Sequence, residues 1–188
     1  GTTDREGSGV MDPVLRQGIE FEFYALDDCL NASMDDFTAK LASGDFKLAL
    51  LIHYFGFPQA NGSQIAEVCK AREVILIEDC AHALGALVNR QGLGCHGDAS
   101  LYSIHKTLPT QSGGVLKVNN LQLGFLDRIE PNEPISLSAL QALINADLEL
   151  ISATRRKHYD LLASRLLGLR GIELLKQSLA PGVVPLNL

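Results

Sequence analysis

Two residues lying 27 positions apart could do chemistry together. Asp79 ends the run Val74-Ile75-Leu76-Ile77-Glu78-Asp79. Lys106 lies in Ser103-Ile104-His105-Lys106-Thr107-Leu108-Pro109, ahead of Gly113-Gly114. An amine can condense with an aldehyde to give an imine. A carboxylate beside a pyridine nitrogen favours the protonated form of that nitrogen. A carboxylate after one strand and a lysine after a later one are therefore what a pyridoxal phosphate (PLP) enzyme needs. His82, Ser103 and His105 stand in the same two stretches, and His53 lies near the end of another apolar run.

The elements around these residues must bring them to one place. Residues 19–26 alternate apolar and polar over most of their length and read as a half-buried strand. Ser33 is placed to cap a helix with Phe37 and Leu41 on its inner face. Residues 47–55 are almost continuously apolar, as in a strand covered on both faces, and Gly56-Phe57-Pro58 stops it. Residues 63–72 are amphipathic, with Ile65, Val68 and Cys69 facing inward. Further buried strands are expected over 74–77, 99–104 and 115–118. A break follows at 131–134, and a helical pattern runs from Ser136 to about Leu167, with Asp147 off pattern. Strands alternating with helices predict an α/β fold, a mostly parallel sheet flanked by helices. Ligands of such sheets bind beyond the carboxyl ends of the strands, where Asp79, His82, Ser103, His105, Lys106 and His53 would gather.

At these residues the chain resembles the DegT-type sugar aminotransferases, a branch of the fold-type-I PLP enzymes. The resemblance rests on His53-Tyr54-Phe55-Gly56-Phe57-Pro58 and on Ile77-Glu78-Asp79-Cys80-Ala81-His82-Ala83-Leu84-Gly85. It continues from Gly94 through Gly97-Asp98-Ala99, then Ser103 to Lys106, Gly113-Gly114 and the helix bearing Arg155-Arg156. It implies the PLP-dependent transferase large-domain fold. Asp79 would pair with the pyridinium nitrogen, His82 would lie against the cofactor ring, Ser103 would bind the phosphate and Lys106 would be the Schiff-base lysine. An amino acid, glutamate by analogy, would donate an amino group to a nucleotide-linked keto-sugar, in a cytoplasmic homodimer. Polysaccharide or antibiotic-sugar assembly is the pathway class that the resemblance implies.

Two departures from the family pattern mark a divergent, truncated member. The family places two more residues between the serine and the lysine than the three-residue step from Ser103 to Lys106. Its members are about twice this length, with an amino-terminal phosphate-gripping loop and a carboxyl-terminal small domain. Residues 1–12 are accordingly read as a flexible lead or expression remnant, and 13–134 as the core of the PLP-binding large domain. Residues 135–188 are read as a long helix and the start of the small domain. The competing reading is a catalytically inactive PLP-fold domain used for assembly or binding.

Composition narrows the remaining classes. The 188 residues are 46% hydrophobic with a net charge of -6, and the charges are interspersed, which gives no electrostatic footprint for nucleic acid. The longest apolar run, from Leu48 to Phe57, includes His53 and is too short to span a membrane. The four cysteines show no C-x-x-C spacing and read as free thiols. His53, Asp79, His82, His96, Asp98 and His105 could instead ligate a metal, but none has the spacing of a His-Glu-x-x-His site, and no metal is expected. Asp79 could merely cap a following helix, Asp98 could hold a turn, and Arg155 and Arg156 could lie on a solvated helix face.

Overall fold

The computed structural model describes residues 9–88, 91–124, 134–176 and 178–186, with Val88 described by its backbone only. In chain order these residues form helices α1 (Met11–Arg16) and α2 (Met34–Ser43), strand β1 (Leu48–Ile52), helix α3 (Gly62–Ala71) and strand β2 (Ile75–Asp79). The short strands β3 (Leu87–Val88) and β4 (Gln91–Gly92) follow, then β5 (Ala99–Ser103), β6 (Gly114–Val118) and helices α4 (Leu137–Asn145) and α5 (Leu148–Leu166). A four-stranded sheet runs in the order β1-β2-β5-β6. The β1–β2 and β2–β5 pairings are parallel, and β6 is antiparallel to β5. This is the expected α/β architecture.

One face of the sheet is sealed by α2 and α3. Ser33 caps α2 as expected, its side chain accepting from the Asp36 N–H, and Phe37 and Leu41 are buried. Ile65 and Cys69 of α3 join them over Ala49, Leu51 and Leu76 of the sheet. The period-2 geometry of β2 sends Leu76 and Glu78 to the covered side and Ile75, Ile77 and Asp79 to the other. Two adjacent carboxylates thus serve opposite faces.

Several expectations are corrected. Residues 19–26 form no sheet strand; the segment contributes one bridge, Leu26 to Ala32, and Ile19, Phe21 and Phe23 remain exposed. Alternation alone does not make a strand where no neighbouring backbone supplies hydrogen bonds. Its anchor is Tyr24, whose hydroxyl donates to the Leu50 carbonyl and whose ring meets Phe37 edge-on. The strand expected over 47–55 stops at Ile52, and a 3₁₀ turn occupies Tyr54–Gly56. Leu48 is 48% exposed, so this strand is not covered on both faces. The helical stretch after Ser136 is two helices, because the off-pattern Asp147 caps α5 by accepting from Leu150 N–H. The break expected at 131–134 falls largely outside the described residues, as do residues 1–8 of the expected lead. Residues 11 and 12 already belong to α1.

Asp98 holds its turn: its backbone N–H donates to the Leu76 carbonyl and its side chain accepts from Leu76 N–H and from Asn120. The four cysteines are free. Among the described residues no helix is long and apolar enough to cross a membrane.

Candidate functional site

A cavity of about 190 Å³ opens at the carboxyl ends of β1 and β2, lined by Ile52, His53, Tyr54, Asp79, Ala81, His82 and Lys106, with Val10 from the start of the chain. Each side chain arrives from a loop that leaves a strand end. Asp79 is the last residue of β2, and its Oδ1 accepts from Ala81 N–H at 2.9 Å. That bond closes a turn; no helix follows, so helix capping is not the work of Asp79. His82 sits in that turn. Lys106 sits in the turn after β5, where Thr107 and Leu108 N–H groups both donate to the Ile104 carbonyl and the Ile104 N–H donates to Gly113. Ile104 and Leu108 are buried beneath it.

Lys106 Nζ and His82 Nε2 lie 2.8 Å apart. The other ring nitrogen of His82, Nδ1, accepts the Phe55 N–H at 3.1 Å. A neutral imidazole carries one proton, so Nδ1 as acceptor leaves that proton on Nε2. Burial, then the nearby Lys106, lowers the proton affinity of His82, and Asp79 opposes them. A weakly basic, neutral ring matches the hydrogen-bond pattern. Phe55 stacks on this ring, with centroids 6.0 Å apart and planes 15° apart. Phe55 has φ +56°, a left-handed conformation uncommon for a bulky residue. Its backbone is held on both sides, by its N–H to His82 and its carbonyl from Leu186 N–H.

Behind the cavity lies a buried polar network. His53 Nε2 donates to Glu78 Oε2 at 2.8 Å, and both side chains are almost fully buried. Glu78 Oε1 accepts from His96 N–H and Gly97 N–H, and His53 Nδ1 accepts from Gln59 N–H. Burial pushes the Glu78 carboxyl up, but the hydrogen bonds from His53, Gly97 and His96 outweigh it and hold the group below its ordinary value. Burial and the adjacent Asp79 push the Tyr54 hydroxyl up.

Of the residues singled out from sequence, Asp79, His82, Lys106 and His53 meet at one cavity. Ser103 ends β5, half-buried, and His105 is exposed; neither lines the cavity. Sequence reasoning missed Tyr54 as a lining residue and Phe55 as the support of His82. It also misjudged the arginine pair. Arg155 Nη2 donates to the Lys106 carbonyl at 2.9 Å, and Arg156 Nη1 donates to the Ala180 and Val183 carbonyls. Neither lies on a solvated face, because each guanidinium reaches across to a backbone carbonyl of another segment. No local signal marks that contact; the pair looks like any charged helix step. Among the described residues no group of three or more metal-ligating side chains is gathered.

Residues 10–124 match the profile of a family described as the DegT/DnrJ/EryC1/StrS aminotransferase family. The chain is 33% identical over 93 residues to GDP-perosamine synthase of Escherichia coli O157:H7, a match covering 48% of this chain and 25% of that protein. It is 35% identical over 101 residues to the dTDP-4-dehydro-2,3,6-trideoxy-D-glucose 4-aminotransferase of Saccharopolyspora spinosa, covering 53% of this chain and 26% of that one. The fold superposes on the aminotransferase TlmJ of Streptoalloteichus hindustanus with a TM-score of 0.75 at 24% identity, covering 96% of this chain and 55% of that structure. The chain therefore corresponds to only part of the length of the proteins it matches.

Proposed function

The chain belongs to the DegT/DnrJ/EryC1/StrS aminotransferase family, and from that premise we propose that it carries the lysine-bearing core of a PLP-dependent aminotransferase. The acceptor is a nucleotide-linked keto-sugar, as the names of the relatives above support, and the proposed donor is an amino acid. One observation carries the reading: an amine, a carboxylate and an imidazole from two separate loops face one cavity, with Lys106 Nζ 2.8 Å from His82 Nε2.

The donor set fits PLP. When bound, the cofactor supplies an aldehyde that captures amines and a pyridinium ring that accepts electron density from the neighbouring carbon. Lys106 would hold the cofactor through Nζ, and the same amine would be the group to carry a proton at the reacting carbon. Asp79 would face the ring nitrogen and favour its protonated form, since a carboxylate beside that nitrogen stabilises the charge. His82, fixed in plane by Phe55, offers a flat face for the ring. Ser103, at the end of β5, is proposed as a polar contact for the phosphate, and His105, in the turn with Lys106, as a further cofactor contact. No arginine and no second lysine lines the cavity among the described residues. A cytoplasmic homodimer completes the proposal.

The test is titration of the full 188-residue chain with PLP beside Lys106→Ala. The expected result is a new visible absorption band in the parent chain, fixed by borohydride as a mass increase on Lys106 and absent from the variant. The same band in both proteins, or none in either, would overturn the reading. Amino transfer from glutamate to a nucleotide-linked keto-sugar is then the activity to assay.

A further inference from the structure

We propose that Arg155 is a positioning residue that sets the reach of Lys106, an inference that rests on the reading of Lys106 as the reacting amine. The turn bearing Lys106 is pinned on both flanks. Thr107 and Leu108 donate to the Ile104 carbonyl, and Ile104 and Leu108 are buried. The carbonyl of Lys106 itself is held from outside, by Arg155 Nη2 at 2.9 Å, across 49 residues of chain. Among the described residues this half-buried guanidinium has no carboxylate partner, and burial lowers its hold on its proton. Covering a cation without a counter-ion is costly, and a single backbone carbonyl is a weak reason for stability alone.

Helix α5 is well placed for this task. Tyr159 and Ala163 seat it against Phe57 and Val183, and the Tyr159 hydroxyl donates to the Lys176 carbonyl. One turn before Arg155, the Ser152 hydroxyl meets the Gly85 carbonyl at 3.5 Å, at the end of the loop that carries Asp79 and His82. One rigid helix therefore touches both loops of the site. The lysine stem has several free rotors, so the direction of its peptide decides where Nζ begins its reach. A misplacement of about 1 Å can cost on the order of a hundredfold in rate.

The experiment uses the full chain, Arg155→Met, Arg155→Lys and Lys106→Ala. In the cofactor-free proteins, hydrogen exchange is followed at the Thr107 and Leu108 amides, with the Ile65 amide of α3 as a distant reference. Arg155→Met is expected to speed exchange at both amides about tenfold and leave Ile65 unchanged. With PLP, the rate and the pH midpoint of borohydride-trappable attachment at Lys106 are measured. Arg155→Met is expected to slow attachment at least tenfold and shift that midpoint, and Arg155→Lys to recover much of the rate. A purely structural arginine would lower stability and leave the midpoint in place. Parent-like exchange, or a parent-like rate and midpoint, in Arg155→Met overturns the inference. No attachment in the parent chain sinks the reading of Lys106 instead, and the exchange arm still decides whether Arg155 holds the turn. Should Arg155→Met not fold, Arg155→Gln, a shorter donor, is put through both arms.

Discussion

Replacing Glu78 by glutamine should unsettle the ground beneath the cavity although it removes no lining residue. The Glu78 side chain is 0% exposed and His53 is 1% exposed. One oxygen accepts two backbone N–H groups, at 2.7 Å from His96 and 2.6 Å from Gly97, and the other accepts from His53 Nε2 at 2.8 Å. A glutamine can keep its oxygen on the two amides only by turning its NH₂ toward the His53 Nε2–H. Moving the imidazole proton to Nδ1 merely shifts the conflict, because that nitrogen accepts from Gln59 N–H. Either way a buried donor stays unpaired, and charge-assisted bonds become neutral ones. An unpaired buried donor costs about 1–3 kcal/mol, and more where the lost bond was to a charged group. We expect Glu78→Gln to lose about 2–4 kcal/mol in urea unfolding at neutral pH, with an unchanged denaturant slope. Glu78 holds its proton less tightly when folded than when unfolded. Its contribution is therefore complete above the ordinary carboxylate range and lost as pH falls through the lowered folded value. The gap between parent and variant should close on that acid side. A loss under about 0.5 kcal/mol, well below that of an unpaired buried donor, or a gap that does not change with pH, would refute the reasoning.

Three further outcomes are expected. The proton affinity of His82 lies below the ordinary imidazole value, first through burial and then through Lys106, so its folded form favours the neutral ring. The stability from that preference is present above the unfolded value and falls as pH drops through the window below it. Proton NMR should place the His82 midpoint under that of a free imidazole; a midpoint at or above it would contradict the hydrogen-bond assignment. Asp98→Ala should cost about 1–3 kcal/mol in chemical denaturation, because it strands the N–H of buried Leu76 and frees Asn120. Leu51→Ala should cost about 2–5 kcal/mol by calorimetry, since Leu51 is 1% exposed at the centre of the sealed face.

Ser33 before Phe37 and Leu41 announces α2, and the apolar runs announce β2, β5 and β6 within one or two residues and the start of β1 within one, because these signals are local. Asp79 and Lys106 stand out for the same reason, each on a short, recognisable stretch. The segment 19–26 misled, since alternation records where side chains could point and not whether a neighbouring strand exists. The arginine pair misled too, because exposure is decided by what packs nearby.

From sequence alone, this protein's α/β order, its resemblance to the DegT-type aminotransferases and the residues that could do chemistry are determined; each depends on periodicity or on a few adjacent side chains. The tertiary structure alone decides the rest. It sets Lys106 against His82, 24 residues away, seats Phe55 in a left-handed conformation beside that ring, and brings Arg155 across 49 residues to the lysine's carbonyl. It also turns the neighbours Glu78 and Asp79 to opposite sides, one into the polar network and one into the cavity. Such pairings depend on where crossovers return the chain, and no local pattern encodes that distance.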